Sequence, residues 1–137
     1  MNYWLVKSEP EVYSWEQFLR DKKTFWDGVR NYQARNNMRA MALGDQGFFY
    51  HSRTGLEIVG IVEVCALSHP DSTTDDERWD CVDIKAVRPF KTTVTLEQIK
   101  TDPRLADMIL VKNSRLSVQP VSDTEWEIIC DLGNTKP

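Results

Sequence analysis

Residues 25–36, FWDGVRNYQARN, place three aromatic rings, three side-chain amides and two guanidinium groups around Gly28 within twelve residues. Trp26 and Tyr32 offer flat π faces. Asn31, Gln33 and Asn36 each pair a donor with an acceptor, and Arg30 and Arg35 carry planar charged forks. A core segment would be more apolar and a plain loop less aromatic. Flat ligands with polar edges need this mixture, and nucleobases are the commonest ligands of that kind. Arg30, Arg35, Arg39 and Arg115 are the candidate phosphate contacts, because a guanidinium can grip a phosphate with two parallel hydrogen bonds. The competing use of these arginines is internal pairing, since the chain holds 21 acidic residues.

The rest of the composition bounds what such a site can belong to. With 137 residues, 41% of them hydrophobic and 28% charged, residues 1–137 are expected to form one domain with its own core. No apolar run approaches the roughly 18–20 residues of a membrane span. The N-terminal MNYWLVKSEP has no basic region ahead of an apolar block, so no secretory signal is expected. Cys65, Cys81 and Cys130 lie far apart among apolar neighbours and read as buried thiols in a reducing compartment, so the expected location is cytoplasmic. His51 and His69 are isolated, which leaves neither a metal nor a cofactor expected.

A net charge of −4 argues against coating nucleic acid by bulk attraction. The charge is uneven, however. Residues 28–56 hold four arginines against Asp45, residues 57–83 hold eight acids against Arg78, and residues 84–116 turn basic again. The pattern fits either separate basic and acidic faces or a mixed solvated surface.

Local chemistry outlines the elements that must position these residues. Tyr3–Val6 is a β-type run ended by Glu9-Pro10, and Ser14 starts a helix reaching about Lys22. Asn31 caps a second helix over 32–42 that Gly44 stops. Strands follow at 46–52 and 57–64, then a polar loop at 70–78 and a strand at 79–87. Thr95 and Asp102 open short helices, and Ser122 opens a last one with Trp126, Ile129 and Cys130 on one face, closed by Gly133. Trp4, Trp15 and Trp126 follow core periodicities. The sum is an α+β protein, a small curved sheet or barrel decorated by short helices.

The stretches YWLVKSEP (3–10), FWDGVRNYQARNNMR (25–39), GDQGFFYHS (44–52), VGIVEV (59–64), the aspartate-containing loop at 71–79 and RLSVQPVSDTEW (115–126) together resemble the EVE domain. That family is related to the PUA fold, to YTH readers of methylated RNA and to ASCH domains. The resemblance spans nearly the whole chain in family order and is that of a stand-alone bacterial member. It implies a PUA-like β-barrel with a pocket at one mouth that takes a base, often a modified one, out of a nucleic acid. On that reading the chain is a non-catalytic module for DNA or RNA carrying a modified base, such as a methylated or hydroxymethylated cytosine, acting as a monomer.

The same resemblance assigns site residues. Trp26 matches the tryptophan before GVRN and reads either as a stacking wall or as a core indole. Asn31, Tyr32 and Asn36 match positions near the pocket, with a helix cap as the alternative use of Asn31. Gly28 is expected to allow a tight turn that brings the Val29 backbone close to a ligand. Ser8, His51 and Ser52 lie at strand ends that would meet at the mouth, although a lone histidine is as readily structural. Ser117 matches the RLS motif.

Two other functions stay open. An ASCH-like amidohydrolase acting on modified nucleosides could draw on Lys7, Ser8 and Glu9, although neighbours on a strand point to opposite faces. A small-molecule sensor would take a free nucleoside-like ligand in the same pocket.

Overall fold

The computed structural model describes all of residues 1–137. Six strands form one sheet in the order β2-β5-β4-β3-β1-β6. They are β1 (Tyr3–Ser8), β2 (Lys23–Phe25), β3 (Gln46–His51), β4 (Glu57–Pro70), β5 (Asp80–Thr95) and β6 (Val118–Val121). The helices are α1 (Trp15–Asp21), α2 (Tyr32–Ala40), α3 (Leu96–Thr101), α4 (Ile109–Lys112) and α5 (Asp123–Leu132), with a 3-10 turn at Pro103–Leu105. All pairings are antiparallel except β1–β3, which runs parallel in register from Tyr3 opposite Gln46 to Ser8 opposite His51. Such a pair needs a long crossover, and α1, β2 and α2 supply it.

The α+β expectation holds, but the sheet is not a closed barrel: β2 and β6 are free edges. Trp4, Val6 and Phe49 belong to one hydrophobic cluster, while Leu5, Phe48 and Tyr50 belong to a second. Alternating residues point to opposite faces, so both faces of β1 and β3 are buried. Runs such as Trp4-Leu5-Val6 and Phe48-Phe49-Tyr50 are apolar throughout for this reason. On the first face lie α1 and α2, through Phe18, Ala34 and Met38; on the second lie Ile99 of α3, Leu110 of α4, and Trp126 and Ile129 of α5.

Four helix starts follow their local signals. The side chains of Ser14, Asn31, Thr95 and Ser122 each accept the backbone N–H three residues on. Trp126, stacked at 4.2 Å on both Tyr3 and Phe48, centres the second core. The first core includes a contact only glycine permits. A Cβ built on Gly60 would stand 2.3 Å from the Trp15 ring.

Candidate functional site

A cleft of about 500 Å³ opens beside the first core. That lies within the roughly 300–1,000 Å³ of small-ligand sites. The end of β1 contributes Lys7, Ser8 and Glu9; the turn before α1 contributes Val12 and Tyr13. Thr24 and Phe25 of β2, the loop Trp26–Arg30, and Ser117 complete the lining. A wider hollow of about 630 Å³ beside α3 has no aromatic ring in its lining. The aromatic residues therefore select the first.

Trp26 belongs to the core and to the cleft at once. It is 8% exposed and packs in the first cluster, yet it borders the open volume. Tyr13 and Phe49 both meet it edge-on, at 6.5 and 5.7 Å between ring centres. No ring of the protein lies flat against the indole. Its backbone N–H donates to the Val82 carbonyl, so the strand ladder anchors the residue. Next to it, Phe25 leaves 56% of its surface in solvent.

The loop after Trp26 is shaped by one buried carboxylate. Gly28 adopts a φ of +76°, which L side chains rarely adopt, and its N–H donates to Asp71 Oδ2 at 2.9 Å. Arg30 Nη1 donates to the same oxygen at 3.0 Å, and Thr73 donates to Oδ1 through its backbone N–H and its hydroxyl. Burial alone would raise the Asp71 carboxyl. Thr73, Arg30 and Gly28 together hold it well below the usual carboxylate range.

The predicted site residues divide into two groups. Ser8, Trp26, Val29, Arg30 and Ser117 border the cleft. Asn31, Tyr32, Asn36, His51, Ser52, Arg35, Arg39 and Arg115 lie outside its lining. Asn31 is spent on the α2 cap. Asn36 Oδ1 accepts from Arg35. Tyr32 stacks on Trp79 at 5.0 Å and accepts a hydrogen bond from Arg78. His51 Nε2 accepts the Trp15 N–H at 3.1 Å, and burial pushes its pKa down, which keeps that nitrogen free to accept. Ser52 donates its backbone N–H to the Ser8 carbonyl.

Internal pairing takes most of the arginines. Arg30 pairs with Asp71, Arg39 with Asp80, and Arg35 donates to the Arg78 carbonyl while lying 4.8 Å over the Tyr32 ring. The aspartates of the 71–83 segment thus neutralise arginines of the 30–39 segment, and the charge blocks do not form separate faces at this end. Arg115 is exposed with no side-chain partner.

Lys7, Ser8 and Glu9 all border the cleft, against the expectation from strand alternation. They sit where β1 ends and the chain turns at Pro10, so the alternation no longer separates them. Lys7 Nζ donates to the Ser114 carbonyl at 2.7 Å, and Ser8 Oγ donates to the Tyr13 carbonyl. Neither is activated by a neighbouring base. Tyr13, Val12, Phe25 and Asp71 were missed as site residues; an aromatic beside the Trp26 motif was the available signal for Phe25.

Comparison with known proteins agrees with this architecture. A structure from Agrobacterium tumefaciens is 56% identical, with 98% of this chain and 94% of that one covered at a TM-score of 0.96. The crystal structure of human THYN1 protein in complex with 5-methylcytosine-containing DNA is 34% identical, with both chains fully covered at a TM-score of 0.92. Mouse thymocyte nuclear protein 1 is 38% identical across 99% of this chain and 75% of its own length. An ASCH protein of Zymomonas mobilis, 12% identical at a TM-score of 0.59, shares the fold alone. Residues 2–132 match the EVE domain model, and the chain belongs to the EVE domain family.

Proposed function

We propose that this protein is a binding module for DNA carrying a modified cytosine, with 5-methylcytosine the named example, and that the base enters the cleft beside Trp26. The observation that carries the proposal is the similarity of the whole chain to the human THYN1 chain that was solved with 5-methylcytosine-containing DNA. The cleft supports it physically. A half-exposed Phe25, beside the 8%-exposed indole of Trp26 that borders the cleft, offers stacking surface worth about 1–3 kcal/mol per base. Extruding a base costs a few kcal/mol, which stacking and edge hydrogen bonds must offset. A buried methyl adds roughly 0.8 kcal/mol, so selectivity for methylation is modest unless the pocket also disfavours the polar alternative.

The module acts without catalysis in this reading, because Lys7 and Ser8 are committed to backbone carbonyls. RNA remains a competing substrate in the test, and a reducing cytoplasm is the proposed setting for its three free thiols. Fluorescence anisotropy with matched DNA duplexes, methylated and plain, and with RNA of the same sequence tests the proposal. The methylated duplex should bind more tightly, and Phe25→Ala or Trp26→Phe should weaken it while the fold persists. Equal affinity for both duplexes, or tighter binding to mononucleosides than to DNA, would overturn it.

A further inference from the structure

Outside the cleft, one group brings three different donor atoms together: His69 near the end of β4, and Cys81 and Asp83 on β5. Cys81 and Asp83 are two apart on one strand and share a face. The β4–β5 ladder sets His69 opposite Cys81. Register shifts between Val64 and Ala66, and between Ala66 and His69, re-aim side chains along this stretch. The His69 Nε2 lies 2.7 Å from Asp83 Oδ1, and the Cys81 sulfur lies 3.7 Å from both ring nitrogens. All three donor atoms fall within 4.8 Å of one another.

A histidine–aspartate ion pair by itself does not need a thiol placed against the ring. The spacing fits another role. Metal bonds of about 2.0 Å to nitrogen and oxygen and about 2.3 Å to sulfur put tetrahedral ligands roughly 3.2–3.8 Å apart. Here the Cys81–His69 separation of 3.7 Å falls in that range, His69 and Asp83 at 2.7 Å are closer, and a span of 4.8 Å for the whole group leaves about 1 Å for the side chains to close. Cys81 is buried, whereas the His69 side chain is 39% exposed and that of Asp83 15%, so the group opens to solvent on one side.

We propose that His69, Cys81 and Asp83 form a site for one borderline-soft divalent cation of the zinc class, with a fourth position left to water. Thiolate and imidazole favour such ions over magnesium or calcium. The cation takes the place of the thiol proton and of the proton shared by His69 and Asp83. A turn of the His69 ring brings its Nε2 to face the sulfur as well as the carboxylate. The site lies behind the cleft rim: Phe25 meets His69 edge-on at 6.1 Å and pairs with Asp83 across the β2–β5 ladder. The site does not depend on a base entering the cleft. Sequence reasoning passed over it because each histidine was judged alone.

The test is calorimetric titration of chelator-stripped protein with zinc chloride, and absorbance with cobalt as a reporter of thiolate ligation. One equivalent should bind, with a sulfur-to-cobalt charge-transfer band. Cys81→Ser should abolish the band, and Cys81→Ser or His69→Ala should weaken zinc by about tenfold or more, the scale on which even supporting residues act. Cys65→Ser should change neither. Magnesium chloride should give no binding. Absence of uptake by the wild-type protein, or uptake unchanged by His69→Ala, would overturn the proposal. Because His69 is half exposed, that variant decides the matter even if Cys81→Ser fails to fold.

Discussion

Asp71→Asn isolates the interaction that shapes the cleft. The carboxylate is buried and accepts four hydrogen bonds, two on each oxygen. An asparagine of nearly identical shape can keep its oxygen toward Thr73. Its amide nitrogen then faces the Gly28 N–H and Arg30 Nη1, which are both donors. Gly28 is exposed and its N–H can regain some water, so losing this bond to a charged acceptor costs about 1–2 kcal/mol. Arg30 is 39% exposed on its side chain and regains water, so its share is at most about 1 kcal/mol. The expected loss is therefore about 2 kcal/mol, which moves a urea midpoint by roughly 1 M at the slope usual for a small domain.

The same variant should weaken binding to a methylated duplex when both proteins are measured fully folded, because Asp71 fixes the turn that presents Val29 and Arg30 to the cleft. Arg30→Ala supplies the control, since it removes the charge pair and spares the bond to Gly28. It should destabilise the fold far less than Asp71→Asn. If Asp71→Asn unfolds within about 0.5 kcal/mol of the parent, or Arg30→Ala costs as much, the reasoning about the carboxylate-held turn is wrong.

Three further outcomes follow from the core and the caps. Gly60→Ala should lower stability by about 1–3 kcal/mol in thermal melts through its collision with Trp15, and Trp15→Phe should relieve part of that loss in the double variant. Asn31→Ala should cost about 1 kcal/mol as a lost helix cap, read by denaturant unfolding, and leave DNA affinity unchanged if the side chain serves only Ala34. For Asp45, burial alone would raise the carboxyl, but the Ala42 N–H, the Trp4 indole and the Asn2 N–H hold it below its ordinary value. Its contribution is complete above the unfolded value near about 4 and is lost as pH falls through the folded value, so urea unfolding across acid pH should show a slope that Asp45→Asn flattens.

What could be read ahead of the structure was local. The caps at Ser14, Asn31, Thr95 and Ser122 act over three residues, so their chemistry is complete within the segment that carries them. The Trp26–Arg30 arm of the cleft was legible for the same reason, being contiguous. By contrast, β2 is three residues with no alternation to betray it, and it exists because β5 pairs with it. The strand β5 runs to Thr95, well past the expected Val87, because β4 pairs with it as far as Glu57 opposite Thr95. The four-residue β6 is likewise defined by its partner β1.

Side chains that meet across a ladder depend on register, and a slip of one residue sends every side chain to the other face. That is why Tyr13 and Asp71 stayed hidden as partners of the 26–30 loop. One pairing could still have been reached. If the polar loop at 71–79 is taken as the turn of a β4–β5 hairpin, Pro70 falls opposite Asp80 and His69 opposite Cys81, the register the structure has. Asp83 then follows on the Cys81 face by strand period alone. The sequence therefore contained the imidazole–thiol–carboxylate grouping, but only for a reading that folds the loop before judging the histidine.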